Sequence, residues 1–338
     1  MKIGKIDTNK KVLIIAELSA NHANSLQIAK DTIYAAKEAG ADAIKLQTYT
    51  PEWMTIDSKK EDFIIKGGLW NGKNLFELYK WAMTPLEWHE ELFNYAKSLN
   101  LEIFSSPFSK EAIDFLEQFN PPAYKIASFE ITDYELIKYA AKTKKPLIIS
   151  TGIAKINEIQ EVVEIVKKYT QVALLKCTSA YPAPRNEVNL KTIPWLKETF
   201  KVEVGFSDHT LGISAPIAAV ALGARIIEKH FILDKNLNSP DKEFSLTPNE
   251  FKEMVKAVRE TEEMLGEIQL TPTKGREFSR SLYVVKEIKK GEKFTRENIR
   301  SIRPGFGLHP KYLPQILGKK ACKDLKKGDR LRWEDITD

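Results

Sequence analysis

Val12-Leu-Ile-Ile-Ala-Glu17 and Ala41-Asp-Ala-Ile-Lys45-Leu-Gln47, separated by a helical pattern over Ile28–Ala39, decide the fold. Each run is apolar for about five residues and then turns polar. Such runs suit strands buried on both faces, as in parallel sheets, and the amphipathic stretch between them suits a crossover helix. The unit recurs. Further strand patterns lie at Glu102–Ser106, Ala123–Ser128, Pro146–Thr151, Gln171–Thr178, Val202–Ser207 and Arg225–His230. Helical patterns fall at Pro85–Leu99, Tyr134–Lys142, Ile156–Tyr169 and Ile213–Leu222. Eight such units predict a (β/α)8 TIM barrel over residues 1–265. One connection breaks the rhythm: Pro51–Trp70 is long and runs into Asn71-Gly72, so it is expected to be a functional loop at the strand-end face.

Beyond the barrel the pattern changes. Residues 266–280, with Thr271-Pro272-Thr273-Lys274-Gly275, read as a linker, and 281–338 as a small β-rich domain. That domain has an internal echo: Glu287–Ile299, containing Lys289-Lys290-Gly291, is repeated as Asp324–Ile336, containing Lys326-Lys327-Gly328. Each copy is expected to form strand, Lys-Lys-Gly turn, strand and a helical turn. A module this small needs packing from elsewhere to be stable.

The chain has 338 residues, a formal charge of +6 and 43% hydrophobic residues, enough for a large core. Basic and acidic residues are interspersed, which argues against a nucleic-acid face. No apolar run approaches the ~20 residues of a membrane span. Two distant cysteines, Cys177 and Cys322, fit a reducing compartment. The expectation is a cytoplasmic protein with neither nucleic acid nor membrane as partner.

Every expected strand ends on chemically capable residues. In order they are Glu17; Lys45 and Gln47; Ser105 and Ser106; Lys125 and Ser128, with Glu130 just beyond; Ser150 and Thr151; Lys176, Thr178 and Ser179; Ser207-Asp208-His209; and Glu228 and His230. A strand often ends in Ser or Thr simply because a turn begins there. The complete set is different, because barrels of this type build their sites at the C-terminal ends of the strands. A lysine inside an apolar strand is costly unless it meets an anion. Lys45, Lys125, Ser128, Ser150 and Ser207 therefore form a candidate anion site, with Glu17 and Glu130 as candidate acid–base groups. His209 and His230 end neighbouring strands and are the candidate ligands of a catalytic divalent ion with open positions. His22 and His89 are taken as structural.

These same residues carry a resemblance. Ile15-Ala-Glu17-Leu-Ser-Ala-Asn21-His22, Lys45-Leu-Gln47-Thr48, Ser106-Pro107-Phe108, Tyr124-Lys125-Ile-Ala-Ser128, Ser150-Thr151-Gly152, Tyr181-Pro182, Gly205-Phe-Ser207-Asp208-His209-Thr210, Glu228-Lys-His230-Phe231 and Arg303-Pro304-Gly305-Phe-Gly307 together resemble the sialic acid synthase family. The resemblance implies a TIM barrel followed by an antifreeze-protein-like (SAF, β-clip) C-terminal domain. It implies condensation of phosphoenolpyruvate with an amino-sugar aldehyde, with cleavage of the enol C–O bond. It also implies a divalent metal on His209 and His230, manganese (Mn2+) by preference, with magnesium or cobalt as alternatives. Lys45, Ser106 and Lys125 would hold the carboxylate of phosphoenolpyruvate, and Lys125, Ser128, Ser150 and Ser207 its phosphate. Glu17, Gln47, Tyr181 and Asp241 would face the sugar or the reacting centre. Arg303 would reach the site of a partner subunit in a domain-swapped homodimer.

Two departures from the family pattern matter. Ser179 stands where members using N-acetylmannosamine usually carry Asn. Gly68 to His89, with Trp70 where the N-acetylneuraminate branch has a sugar-contacting Asn, looks like the pseudaminic acid branch. The sugar implied is a 2,4-diacetamido-2,4,6-trideoxy-altrose, whose methyl and acetamido groups suit an aromatic contact. A legionaminic or N-acetylneuraminic acid synthase is the alternative within the class. A Schiff-base aldolase using Lys45 or Lys125, or a non-catalytic sugar-binding protein, would be a different class.

Overall fold

Eight parallel strands close into a barrel in the computed structural model, which describes residues 1–271 and 274–338. The strands are β1 (Leu13–Glu17), β2 (Ala43–Thr48), β3 (Glu102–Pro107), β4 (Tyr124–Ile126), β5 (Leu147–Ser150), β6 (Val172–Cys177), β7 (Glu203–Asp208) and β8 (Ile226–His230). Each pairs with the next, and β8 pairs with β1 to close the ring. The expected (β/α)8 architecture is the observed one. The helices that follow the strands are α1 (Leu26–Glu38), α2 (His89–Ser98), α3 (Lys110–Glu117), α4 (Tyr134–Lys142), α5 (Ile156–Lys167), α6 (Thr192–Phe200), α7 (Ser214–Ala221) and α8 (Pro248–Leu265).

Local chemistry sets these boundaries. Ser25, Ser109 and Asp133 accept backbone N–H bonds at the starts of α1, α3 and α4. Thr247 and Glu250 form a reciprocal capping box at α8, with Pro248 in the first helical position. The helices bury one stripe each against the outer face of the barrel. On α8 that stripe is Phe251, Met254, Val255 and Val258.

Alternation along the strands fills the barrel. Leu13, Ile15, Ala43, Phe104, Ala123, Ile148, Ala173, Leu175 and Ile226 form one buried interior cluster. Its floor is closed by a short N-terminal hairpin, Lys2–Ile3 with Ile6–Asp7, whose Ile3 joins the cluster. The residues one position off point outward and meet the helices. Asp208 and Lys229 are an outward pair, 2.6 Å apart and fully buried, that ties β7 to β8 behind the barrel wall. Removing either partner would strand a buried charge, a loss of about 3–5 kcal/mol.

Three expectations need correction. The expected loop Pro51–Trp70 contains a short helix at Pro51–Met54; the helix beyond it, Leu75–Ala82, starts where Asn74 accepts the backbone N–H groups of Phe76 and Glu77. The fourth strand, expected over Ala123–Ser128, is only three residues long, and Ser128 already opens a tight 3-10 turn, Ser128–Glu130. The helix expected from Pro85 begins as a 3-10 turn, Leu86–Trp88, before α2.

The second unit is Glu267–Asp338. Of the expected linker, Pro272 and Thr273 lie outside the described residues. The unit has paired strands β9 (Ser281–Val284) and β10 (Ile299–Ile302), and a short pair, β11 (Lys320–Ala321) with β12 (Ile336–Thr337). Both Lys-Lys-Gly segments are turns, with Gly291 and Gly328 at φ 84° and 97° as such turns require. Here too the structure differs from expectation. The residues flanking each turn do not fold back as separate hairpins; the two copies pair with each other, Ile288 opposite Leu325. Ile288 and Leu325 are core residues, and cross-pairing lets one small core serve both copies.

Candidate active site

The inner faces of the strand ends form a ring of buried charge. Lys45 on β2 lies 2.9 Å from Glu17 on β1 and 3.6 Å from Glu228 on β8. Lys125 on β4 lies 3.3 Å from the same Glu228 oxygen, Oε1. All four side chains are at most 5% exposed. Ser207 donates to Glu228 Oε1 at 3.3 Å, and Lys45 donates to Ser106 Oγ at 3.0 Å.

Burial and pairing set the charges. Burial would discharge Lys45, but Glu17 and Glu228 hold its pKa above the ordinary value. Burial lowers Lys125, against the pull of Glu228. Glu228 is pushed up by burial but held below the usual carboxylate value by Lys125 and Lys45. Burial pushes Glu17 up to about 7, against Lys45 and with the help of Glu228, and it pushes Glu130 up to about 7 against Lys125. Two carboxyls near neutrality, beside two ammonium groups, can exchange protons with a substrate.

A second cluster is made of hydroxyls. Ser128 and Ser179 lie 2.7 Å apart, and Ser128 Oγ also accepts the backbone N–H of Ile153 at 3.2 Å. Gly152 permits this approach, since a Cβ there would collide with both hydroxyls. Ser150 Oγ, Glu130 Oε2 and Glu228 Oε2 are buried without a hydrogen-bond partner. A native site tolerates such orphans where a ligand completes them.

The two histidines do converge, with ring centroids 5.4 Å apart. His209 Nδ1 lies 3.1 Å from the Thr178 carbonyl, which can only accept, so Nδ1 carries a proton; burial works against the charged ring, but Cys177 and that carbonyl hold its pKa above the ordinary value. His230 Nδ1 is buried with no hydrogen bond, 3.7 Å from Asp241 Oδ2. Burial, His209 and nearby lysines keep His230 well below its ordinary pKa, hence neutral. A neutral, orphaned His230 imidazole facing His209 fits a divalent ion, whose binding would displace any proton on His209 Nε2. Among the described residues, no group of three or more His, Cys, Asp or Glu is placed to hold a metal ion.

The sugar-side candidates gather beside the histidines. Tyr181 packs on His209 at 4.4 Å and on Trp70 at 5.6 Å, and Trp70 donates its indole N–H to the Pro240 carbonyl at 3.3 Å. Gln47 donates to Glu17 at 2.9 Å and to Ser19 at 2.8 Å, and Ser19 donates to Asp241 at 2.5 Å. Ser105, by contrast, points outward to Thr48. His89 is buried against Phe115 and bonded to Thr48, and His22 stacks edge-on to Trp88, as expected of structural histidines. Arg303 is exposed in the second unit.

The sequence did not reveal the roles of three residues of the site. Glu228 was seen as a strand end but not as the partner of both lysines; its spacing two before His230 already put it on the inner face. Cys177, two after interior Leu175, approaches His209 Nδ1 at 3.9 Å. Ser19 gave no signal in the sequence.

The chain matches the NeuB family over residues 32–270 and the SAF domain over 279–337. It belongs to the NeuB family. Across 99% of its length it is 56% identical to the pseudaminic acid synthase of Campylobacter jejuni subsp. jejuni serotype O:2, covering all of that protein. To the N,N'-diacetyllegionaminic acid synthase of the same organism it is 38% identical, over 96% of this chain and 99% of that one. Among solved structures, the N-acetylneuraminic acid synthetase of Leptospira borgpetersenii serovar Hardjo-bovis superposes with a TM-score of 0.73 at 32% identity, over 81% of this chain and 92% of that one. The family's barrel and SAF domain are those described above.

If Glu228 balances the two lysines of this NeuB barrel, Glu228→Gln will melt at least roughly 5 °C lower in phosphate-free buffer, as expected for a stranded buried charge. Added inorganic phosphate will stabilise the variant more than the wild type. Calorimetric scans showing equal melting and equal response to phosphate would contradict the charge balance.

Proposed function

We propose that this protein condenses phosphoenolpyruvate with 2,4-diacetamido-2,4,6-trideoxy-altrose to give pseudaminic acid and phosphate. The observation that carries the choice of sugar is the likeness within one organism: 56% identity to its pseudaminic acid synthase against 38% to its legionaminic acid synthase, both over nearly the whole chain. The ring of charges supplies the chemistry that such a reaction needs.

Lys45, Ser106 and Lys125 hold the carboxylate of phosphoenolpyruvate, and Lys125, Ser128, Ser150, Ser179 and Ser207 its phosphate. The orphaned Ser150 hydroxyl supports that division. Glu17 and Glu130, with pKa values pushed up to about 7, take and return protons at the reacting carbons and at the water that adds there. His209 and His230 would hold a divalent ion, manganese by preference, whose Lewis acidity favours attack on the sugar aldehyde. Gln47, Tyr181 and Asp241 orient the sugar. Trp70 offers only its apolar face, because its one donor is used by Pro240.

Association into a homodimer is part of the same reading. Phe129, Ile153 and Leu211, which follow β4, β5 and β7, are exposed, and so are Phe306 and Arg303 on the second unit. An exchange of second units between subunits would cover such apolar groups and bring Arg303 to a neighbouring site. Two unpaired cysteines and the choice of phosphoenolpyruvate support a cytoplasmic location. Among the described residues no helix is long and apolar enough to cross a membrane.

Turnover with a panel of amino-sugar aldehydes, read as phosphate release, tests the assignment. The diacetamido altrose should be preferred, chelation should abolish activity, and manganese should restore it. Trp70→Asn should slow that sugar by roughly 10–200-fold, about 1–3 kcal/mol of apolar contact, and N-acetylmannosamine much less. Preference for N-acetylmannosamine by the wild type would overturn the choice of sugar. For the exchange, Arg303→Ala and Lys125→Ala chains should each be inactive alone and regain activity in mixed dimers. No recovery in a verified mixed dimer would overturn the subunit exchange.

A further inference from the structure

We propose that Ser19 is a positioning residue that fixes the hydrogen-bonding polarity of the sugar-facing wall, so that the wall presents acceptors and selects a sugar by its donor groups. This rests on the function proposed above. Ser19 follows β1 at φ 48°, a left-handed conformation that glycine adopts freely and that a Cβ disfavours. Strain of this kind persists where the surroundings impose it, and it clusters at functional sites. The residue is 3% exposed, so its hydroxyl does not serve the surface.

Its two hydrogen bonds are directional. Ser19 Oγ donates to Asp241 Oδ2 at 2.5 Å, which leaves it to accept from Gln47 Nε2 at 2.8 Å. The second proton of that amide goes to Glu17 Oε1 at 2.9 Å. Both protons of the Gln47 amide are therefore used inside the protein, and its orientation is set by two acceptors. What remains for a ligand is the Gln47 carbonyl oxygen and the carboxyl oxygens of Asp241. A wall of acceptors recognises hydroxyl and acetamido N–H groups, and a sugar with two acetamido groups supplies two such N–H donors. Remove the Ser19 hydroxyl, and the Gln47 amide is free to turn while Asp241 loses a donor.

Ser19→Gly deletes the hydroxyl and relieves the backbone, so this variant will fold. Its melting temperature should equal or exceed that of the wild type. Its KM for the diacetamido sugar should rise roughly 10-fold, while KM for phosphoenolpyruvate stays within about 2-fold. Ser19→Ala, which keeps the strained backbone but lacks the hydroxyl, should show the same KM split with a lower melting temperature than Ser19→Gly. That pairing separates the hydroxyl from the turn, since a purely structural role would move stability alone. An unchanged sugar KM in Ser19→Gly, or equal rises in both KM values, overturns the proposal. Failure of the unaltered enzyme to turn over the diacetamido sugar overturns the functional reading and this proposal with it, and is seen before any variant is made.

Discussion

One carboxylate oxygen holds the barrel's chemistry together: Glu228 Oε1, reached from one side by Lys45 and from another by Lys125. The strands that carry these lysines are not neighbours of β8, so the contact spans the interior of the barrel. A single charge taken out of water costs several kcal/mol even after relaxation. Two lysines and two carboxylates, all at most 5% exposed, can coexist there only because their signs alternate. The paired carboxylates hold Lys45 above its ordinary pKa and oppose the lowering of Lys125 by burial, so positive charge is kept inside the strand ends. An anion that enters finds its countercharge already desolvated and positioned, which is the condition for strong electrostatic binding without reorganisation.

The other features follow from the same constraint. A period of two along each strand assigns alternate residues to the inside, so Glu17, Lys45, Gln47, Lys125, Ser150, Ser207, Glu228 and His230 fall on the inner face at the strand ends. The outward residues between them carry the opposite duty. Asp208 and Lys229 form a buried pair directly behind the two histidines and lock β7 to β8 in register. The convergence of His209 and His230 thus depends on charges on both faces of the same two strands. Next to them, a hydrogen-bonded chain runs from Glu17 through Gln47 and Ser19 to Asp241, at the edge of the histidine pair.

Much of this was legible in the sequence because barrel strands are written in short apolar runs that end in chemistry. The eight runs, their order and the polar residues at their ends could all be seen without coordinates, and the linear motifs carried the family. Contacts between distant strands could not be seen. Glu228 was visible as a strand end, but nothing in its neighbourhood says that it pairs across the barrel. Ser19 owes its role to a backbone angle, and serine is not a residue that announces φ 48°. The repeated Lys-Lys-Gly segments were read correctly as turns. Their partners were misjudged, because a repeat tells what each copy resembles and not which copy it pairs with.

If the ring holds phosphoenolpyruvate by its two anionic ends, as proposed, carbon 2 is left open to water. Water addition there is tested most directly by phosphoenolpyruvate labelled with oxygen-18 in the bridging position. Mass spectrometry of the products should find the label in the released phosphate, since water supplies the new oxygen at carbon 2 and the C–O bond breaks. Label retained in the sugar acid would mean that the P–O bond breaks instead, and the account of how these residues work would be wrong.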